Sequence, residues 1–96
     1  MQAILTIDKP KASIAIDGVF TFEAHREFKA ATITALEIEE IEIDFKAVKY
    51  IDSAALGMLL LLNERAGSRK VVLCNCTGTV KAVLDVANFG KLFEIR

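Results

Sequence analysis

Alternating apolar and polar positions predict the first strands of this chain. The alternation runs over residues 3–8 and again over residues 13–17, with a turn around Pro10 between them. This arrangement predicts an antiparallel hairpin, which we expect to end at Asp17 and Gly18. Strict alternation returns over residues 40–45, where the apolar side chains face one way and the carboxylates face the other. That segment predicts a strand with one wet face.

Apolar positions three or four residues apart predict three helices in the rest of the chain. Each helix begins near residues that can act as N-caps, namely Thr21, Asp52 or Ser53, and Thr77 or Thr79. The second helix ends at Gly67. A short β-branched run at residues 71–74 predicts a strand buried on both faces or nearly so, with Cys74 buried at its end. Phe93 and Ile95 either form a short last strand or close the core.

The resulting order of elements is β-β-α-β-α-β-α, with or without a terminal strand. Helices on both faces of a sheet would require continuously apolar strands, whereas most of these strands are polar on one face. We therefore expect an α/β fold with two layers. A four- to five-stranded mixed β-sheet carries three main helices packed on one face, and residues 1–96 form a single domain.

Composition narrows the class of protein further. Hydrophobic residues make up 53% of the 96 residues and charged residues 26%, which excludes intrinsic disorder. The formal net charge of −1 gives no basic field for binding nucleic acid. The longest apolar run, residues 54–62, is too short to span a bilayer, and the N-terminus does not resemble a signal peptide. We expect a cytoplasmic protein without membrane insertion, in which Cys74 and Cys76 are free thiols.

The start of the second helix is the segment most suited to chemistry. Asp52 and Ser53 lie where free backbone N–H groups and the helix dipole favour an anionic group. A phosphate on Ser53 would be tolerated there by its own helix. The alternative interpretation is an ordinary N-cap that contributes about 1 kcal/mol to stability. The residues alone leave both interpretations open and favour the N-cap.

Two features of this helix point beyond an ordinary cap. Gly57 lies inside the helix, where glycine costs roughly 1 kcal/mol relative to alanine. It therefore suggests close approach of another backbone, from the sheet or from a partner. The helix is also apolar on more than one face through residues 56–62. The excess apolar surface is available to a partner, although crowding between neighbouring helices would explain it as well.

The segment from Tyr50 to Gly57, with the sequence YIDSAALG, resembles the signature of STAS domains, specifically the bacterial anti-sigma factor antagonists. The resemblance extends to the entry to the first helix at residues 17–21 and to the ending at residues 89–93. Two positions depart from the family pattern. Ala54 replaces a second hydroxyl residue, which leaves Ser53 as the only hydroxyl group of the motif, and Ala55 replaces a glycine.

The resemblance implies a switch in which the domain itself is not an enzyme and needs no cofactor or metal. The unphosphorylated domain binds an anti-sigma factor that is also a serine protein kinase. Phosphorylation of Ser53 by that kinase releases it, and a metal-dependent serine phosphatase restores binding. The domain is expected to be a monomer or a weak dimer. The partner-binding residues implied by the resemblance are Asp17, Gly18, Asp52, Ser53, Ala54, Ala55, Leu56, Gly57 and Met58.

Other candidate chemistries have weaker support. His25 has no triad spacing to a nucleophile, so a solvated helical histidine is expected. Cys74 and Cys76 lack a second ligand pair for a metal, and the carboxylates of residues 37–44 are expected to be a solvated sheet face. One alternative function remains open. The same fold could sense or scaffold a small anion, nucleotide or lipid in a cleft formed by Asp17, Ser53 and Thr77.

Overall fold

The computed structural model, which describes residues 2–96, contains five strands and three α-helices, and the helices alternate with the strands after the first hairpin. The strands are β1 (Gln2–Asp8), β2 (Lys11–Phe20), β3 (Glu40–Ile51), β4 (Lys70–Cys74) and β5 (Glu94–Ile95). The helices are α1 (His25–Ala35), α2 (Ser53–Ala66) and α3 (Gly78–Val86), with short 3-10 helices at Phe22–Ala24 and Phe89–Lys91. None of the helices within residues 2–96 is long and apolar enough to cross a membrane.

The strands lie in one mixed sheet in the order β1-β2-β3-β4-β5. β1 pairs with β2 in antiparallel orientation, and the remaining neighbours are parallel. Each parallel connection contains one helix and moves one strand further in the same direction. Because such crossovers are right-handed, all three helices lie on one face of the sheet. The two-layer α/β prediction is thereby confirmed.

The core lies between the sheet and its helices. It contains the fully buried side chains of Ile14 and Ile43 from the sheet, and Leu59 and Leu84 from the helices. The opposite face of the sheet carries charged pairs, yet Val72 of β4 is completely buried there. Its pairing partners on β3 and β5 are two glutamates, and each of them forms an ion pair with a lysine. β4 is thus buried on both faces, as its continuous apolar sequence predicted.

Both long strands extend beyond the predicted bounds. β2 continues past Gly18 to Phe20, and β3 continues to Ile51 instead of stopping at Phe45. The pairing between them shifts register twice, once between Ala15 and Asp17 and again after Gly18. Gly18 has a φ of 96°, which its missing Cβ permits. These irregularities interrupt the alternation of apolar and polar residues, which is why the sequence pattern ended early.

Two of the predicted helix starts differ in detail from the structure. Thr21 precedes a 3-10 helix rather than α1, and its side chain makes no capping hydrogen bond. Thr77 occupies the N-cap of α3, also without a side-chain hydrogen bond.

Both cysteines are free thiols, as predicted, but the prediction that Cys74 is buried is wrong. Cys76 in the loop is buried, whereas Cys74 points to the sheet's open face and is partly exposed, because alternation along β4 turns it away from the core.

Candidate functional site

Asp52 is the N-cap of α2 and leaves Ser53 free. Asp52 has extended backbone angles, and its Oδ1 accepts a hydrogen bond from the Ala55 backbone N–H at 2.9 Å. Ser53 is the first helical residue, and its side chain is exposed. The sequence left the choice of cap between the two residues open. The geometry assigns the cap to Asp52, so the Ser53 hydroxyl is not needed to close the helix.

A backbone contact fixes this helix start against the sheet. The Asp52 N–H donates to the Phe20 carbonyl oxygen at 3.3 Å, which links the ends of β2 and β3 to the beginning of α2. Phe20 and Ile51, the last residues of those strands, are both buried. Ser53 therefore lies at the carboxyl ends of parallel strands, the edge where α/β sheets usually present functional groups.

The remaining predicted residues of α2 differ in accessibility. Ala54 is half-buried, and Leu56 and Met58 are also half-buried and pack against the core. Ala55 is completely buried, so its side chain is not available to a partner. It belongs to the stripe of α2 that faces the sheet, which it shares with Leu59. A partner contact by Ala55 stays a prediction and would have to involve its backbone.

Gly57 is exposed, and its surroundings differ from those predicted. Apart from the two adjoining residues and the backbone of its own helix, a Cβ built on Gly57 would meet no atom within 4 Å. No strand or helix within residues 2–96 therefore approaches this position closely, and the expectation of close approach from the sheet is wrong. The open space lies on the solvent side of α2, next to the exposed Ser53. Approach by a partner remains a prediction.

Asp17 and Gly18 lie together on β2, whereas Thr77 lies in the loop between β4 and α3. Asp17 and Gly18 pair with Ala47 and Val48 of β3 beside the strand irregularity, and Asp17 is exposed. Thr77 precedes α3. No hydrogen bond in the described part of the chain joins any of these residues to Ser53. The ligand cleft built from Asp17, Ser53 and Thr77 stays a prediction.

Sequence reasoning missed three exposed apolar side chains near Ser53. Val19, Phe22 and Tyr50 are 46%, 66% and 51% exposed. Val19 and Tyr50 are register partners in β2 and β3, and all three residues lie within two positions of the contact between Phe20 and Asp52. For Val19 and Tyr50 the signal was an apolar residue at a strand position that alternates with the buried Phe20 or Ile51, whereas Phe22 lies in the 3-10 helix after β2.

The open face of the sheet carries a polar network rather than free carboxylates. Lys11 Nζ donates to Glu42 Oε2 at 2.9 Å, and Cys74 Sγ donates to Glu42 Oε1 at 3.3 Å. The hydrogen bond from Lys11 lowers the pKa of Glu42 below its ordinary value. Burial, together with the bond to Glu42, raises the pKa of Cys74 to about 12, and burial raises that of Cys76 to about 11. Neither thiol is an activated nucleophile.

Within residues 2–96, no group of three or more histidine, cysteine, aspartate or glutamate side chains is placed to hold a metal ion. His25 Nδ1–H donates to the Phe22 carbonyl oxygen at 3.2 Å, and the two rings stack with centroids 5.1 Å apart. That contact places His25 on α1, beside Phe22.

Comparison with known proteins decides the family. The family model described as "Mlab, STAS domain" matches residues 5–94. The chain belongs to the STAS domain family. This STAS domain is 38% identical over 98 residues to the STAS-domain containing protein PA14_20770 of Pseudomonas aeruginosa (strain UCBPP-PA14), an alignment that covers 99% of this chain and 97% of that relative.

Solved structures share the fold of this STAS domain at low sequence identity. An anti-sigma factor antagonist from Mycobacterium paratuberculosis gives a TM-score of 0.89 at 13% identity, covering 98% of this chain and 83% of that one. The phosphorylated form of the Bacillus cell fate determinant SpoIIAA gives 0.74 at 19% identity, covering 98% and 90%. A sulfate transporter family protein from Wolinella succinogenes gives 0.75 at 17% identity, covering 90% and 73%. This STAS domain therefore has the fold of anti-sigma factor antagonists, which it shares with a transporter-family protein.

Proposed function

We propose that this STAS domain is an anti-sigma factor antagonist that works by partner switching. In this proposal it binds an anti-sigma factor with serine kinase activity while Ser53 is unmodified, and phosphorylation of Ser53 releases the partner. The observation that carries the proposal is the exposed Ser53 at the first position of α2, next to an Asp52 carboxylate that is already engaged as the helix cap. A serine needed only for capping would not be free in this way.

The free domain can hold a phosphate at this position. Asp52 already binds the Ala55 N–H, but the N–H groups before it lack acceptors within the helix, and the helix dipole places positive partial charge at the N-terminus. A phosphate on Ser53 adds about −1.5 to −2 charge, which this terminus and the solvent stabilise. Modification should therefore leave the fold intact.

The same charge disfavours the complex with a partner. Inside an interface, the phosphate would have to lose its water while lying beside the carboxylate of Asp52. Placing like charges together costs several kcal/mol, and each 1.4 kcal/mol changes affinity about tenfold. Phosphorylation of one residue is therefore sufficient to release the partner without a change of fold.

The partner surface in this proposal centres on Ser53 and Gly57 and extends onto the strand ends. Val19, Phe22 and Tyr50 contribute exposed apolar surface of the kind that interface centres use, since aromatic residues often dominate binding energy. Asp52, Ala54, Leu56, Met58, Asp17 and Gly18 would form its margins. The half-exposed Leu60 and Leu61 of α2 lie beyond this surface.

The chemistry of the switch belongs to other chains. The Ser53 oxygen bonds to the γ-phosphorus of ATP held by the kinase, ADP leaves, and the hydroxyl proton passes to the kinase. A metal-dependent serine phosphatase reverses the modification with water. The domain is proposed to catalyse no reaction itself, to need no cofactor, and to work in the cytoplasm, where ATP is available, as a monomer or weak dimer.

Phosphate transfer tests the proposal. Serine kinases encoded beside this gene are incubated with the folded domain and ATP, and the modified residue is mapped by mass spectrometry. We expect one phosphate on Ser53, none on the Ser53→Ala variant, and full modification of Thr77→Ala, which changes a hydroxyl at the other N-cap. Phosphate on a different residue, or no transfer by any of these kinases, would overturn the proposed function.

A further inference from the structure

A groove of about 200 Å³ lies between α1 and α2, away from Ser53. Its floor is apolar: Phe28 and Leu62 are buried there, and Met58 and Leu61 line the α2 side. Leu61 remains 44% exposed, so apolar surface is open to solvent within a concave site. Concave apolar surfaces with a few polar groups at the margin are the usual form of small-molecule sites.

The margin of this groove is basic. Lys29 of α1 and Arg65 of α2 line it from the two helices, together with the His25 imidazole. None of the side chains that line the groove is a carboxylate, although acidic residues outnumber basic ones by 13 to 12 in the whole chain. The groove therefore combines an apolar floor with a positively charged rim.

We propose that the α1–α2 groove binds a small amphiphilic carboxylate, such as a medium-chain fatty acid. Its carbon chain lies on Phe28, Leu61 and Leu62, and its carboxylate pairs with Lys29 and Arg65. Arginine is suited to this role because its guanidinium can bind both carboxylate oxygens at once. Nothing in this proposal depends on Ser53 or on the kinase.

The size of the groove favours a small ligand over a larger occupant. Pockets for drug-sized ligands measure about 300–1,000 Å³, so this groove accommodates one short chain rather than a two-chain lipid. A partner helix would bind through apolar anchors along several turns, which requires a longer groove. The polar group at the floor, the Thr32 hydroxyl, already donates to the Phe28 carbonyl oxygen at 2.9 Å and does not need a ligand acceptor.

Titration of the ¹⁵N-labelled domain tests this site with three probes of equal chain length. Sodium octanoate should shift amide signals of α1 and α2 with a Kd on the order of 1 mM. Octylammonium chloride should bind about tenfold more weakly, and 1-octanol should fall between them. Arg65→Gln and Lys29→Gln should each weaken octanoate binding about threefold, whereas Lys46→Gln, an equal charge change on β3, should not.

Two further variants separate this site from the Ser53 surface and locate the ligand in the groove. Ser53→Asp should leave the octanoate Kd unchanged, so failure here and failure of the phosphorylation switch are distinguishable. Leu61→Glu, at an exposed position, should abolish octanoate binding while the thermal melting curve stays cooperative. Equal binding of all three probes, or amide shifts confined to residues outside α1 and α2, would overturn the proposal.

Discussion

The Asp52 carboxylate accepts a hydrogen bond from the Ala55 backbone N–H at 2.9 Å and thereby closes the first turn of α2. The Asp52 carbonyl oxygen also accepts from the Leu56 N–H at 3.3 Å. One residue thus supplies both the side-chain and the main-chain contacts that begin the helix. Ser53, the next residue, keeps its hydroxyl exposed at the positive end of the helix dipole.

This division of roles predicts different effects for two N-cap substitutions. Asp52→Ala should lower the free energy of unfolding by about 1 kcal/mol, because the Ala55 N–H loses its acceptor. Thr77→Ala should cost less than about 0.5 kcal/mol, since the Thr77 side chain makes no capping bond. Urea unfolding monitored by circular dichroism measures both. Equal losses would contradict the assignment of the cap to Asp52.

Gly57 predicts opposite effects on stability and on binding. Because a Cβ at this position meets no atom within 4 Å beyond the adjoining residues and the backbone of its own helix, Gly57→Ala should raise the free energy of unfolding by roughly 0.5–1 kcal/mol. The added methyl group should nevertheless weaken binding of the partner kinase if the partner backbone approaches Ser53 from this side. Unfolding curves and calorimetric titration test the two effects separately. A more stable variant with unchanged affinity would place the partner elsewhere.

The bond between Lys11 and Glu42 predicts an acid-dependent contribution to stability. The pKa of Glu42 is lowered in the folded state, chiefly by the hydrogen bond from Lys11. Glu42 therefore stabilises the fold above its unfolded-state pKa, and this contribution is lost as pH falls through its lower folded-state pKa.

The Glu42→Gln variant tests that contribution. The stability difference between wild type and Glu42→Gln should be constant near neutral pH and disappear on acidification, as measured by urea unfolding from about pH 7 to pH 3. Glu39→Gln removes an exposed carboxylate next to the same strand and serves as the control. A difference that stays the same down to pH 3 would contradict the role of this ion pair.

Sequence patterns were sufficient for the layers of this fold but not for its strand ends. Alternation predicted the first hairpin and the wet face of β3, because burial on one face imposes a period of two. It failed where register shifts near Gly18 broke that period, so the exposed pair of Val19 and Tyr50 was missed. Gly57 was misinterpreted for a different reason. A glycine inside a helix indicates space for the close approach of another backbone, but the sequence does not show whether that backbone belongs to the sheet or to a partner.

The candidate site was predictable only in part. Asp52 and Ser53 were recognised because the segment from Tyr50 to Gly57 resembles the STAS signature, whereas the residues alone favoured an ordinary N-cap. Which of them forms the cap depends on backbone angles, and the burial of Ala55 depends on how α2 sits on the sheet. The α1–α2 groove joins residues that are distant in sequence, and no local pattern identifies it.

The affinity of the partner kinase for four forms of this domain tests the central claim most directly. Calorimetric titration would compare wild type, Ser53→Ala, Ser53→Asp and the domain phosphorylated on Ser53. We expect wild type and Ser53→Ala to bind equally, and phosphorylation to weaken binding by about a hundredfold or more, with Ser53→Asp in between. Equal affinity of the phosphorylated and unphosphorylated domains would contradict the switch.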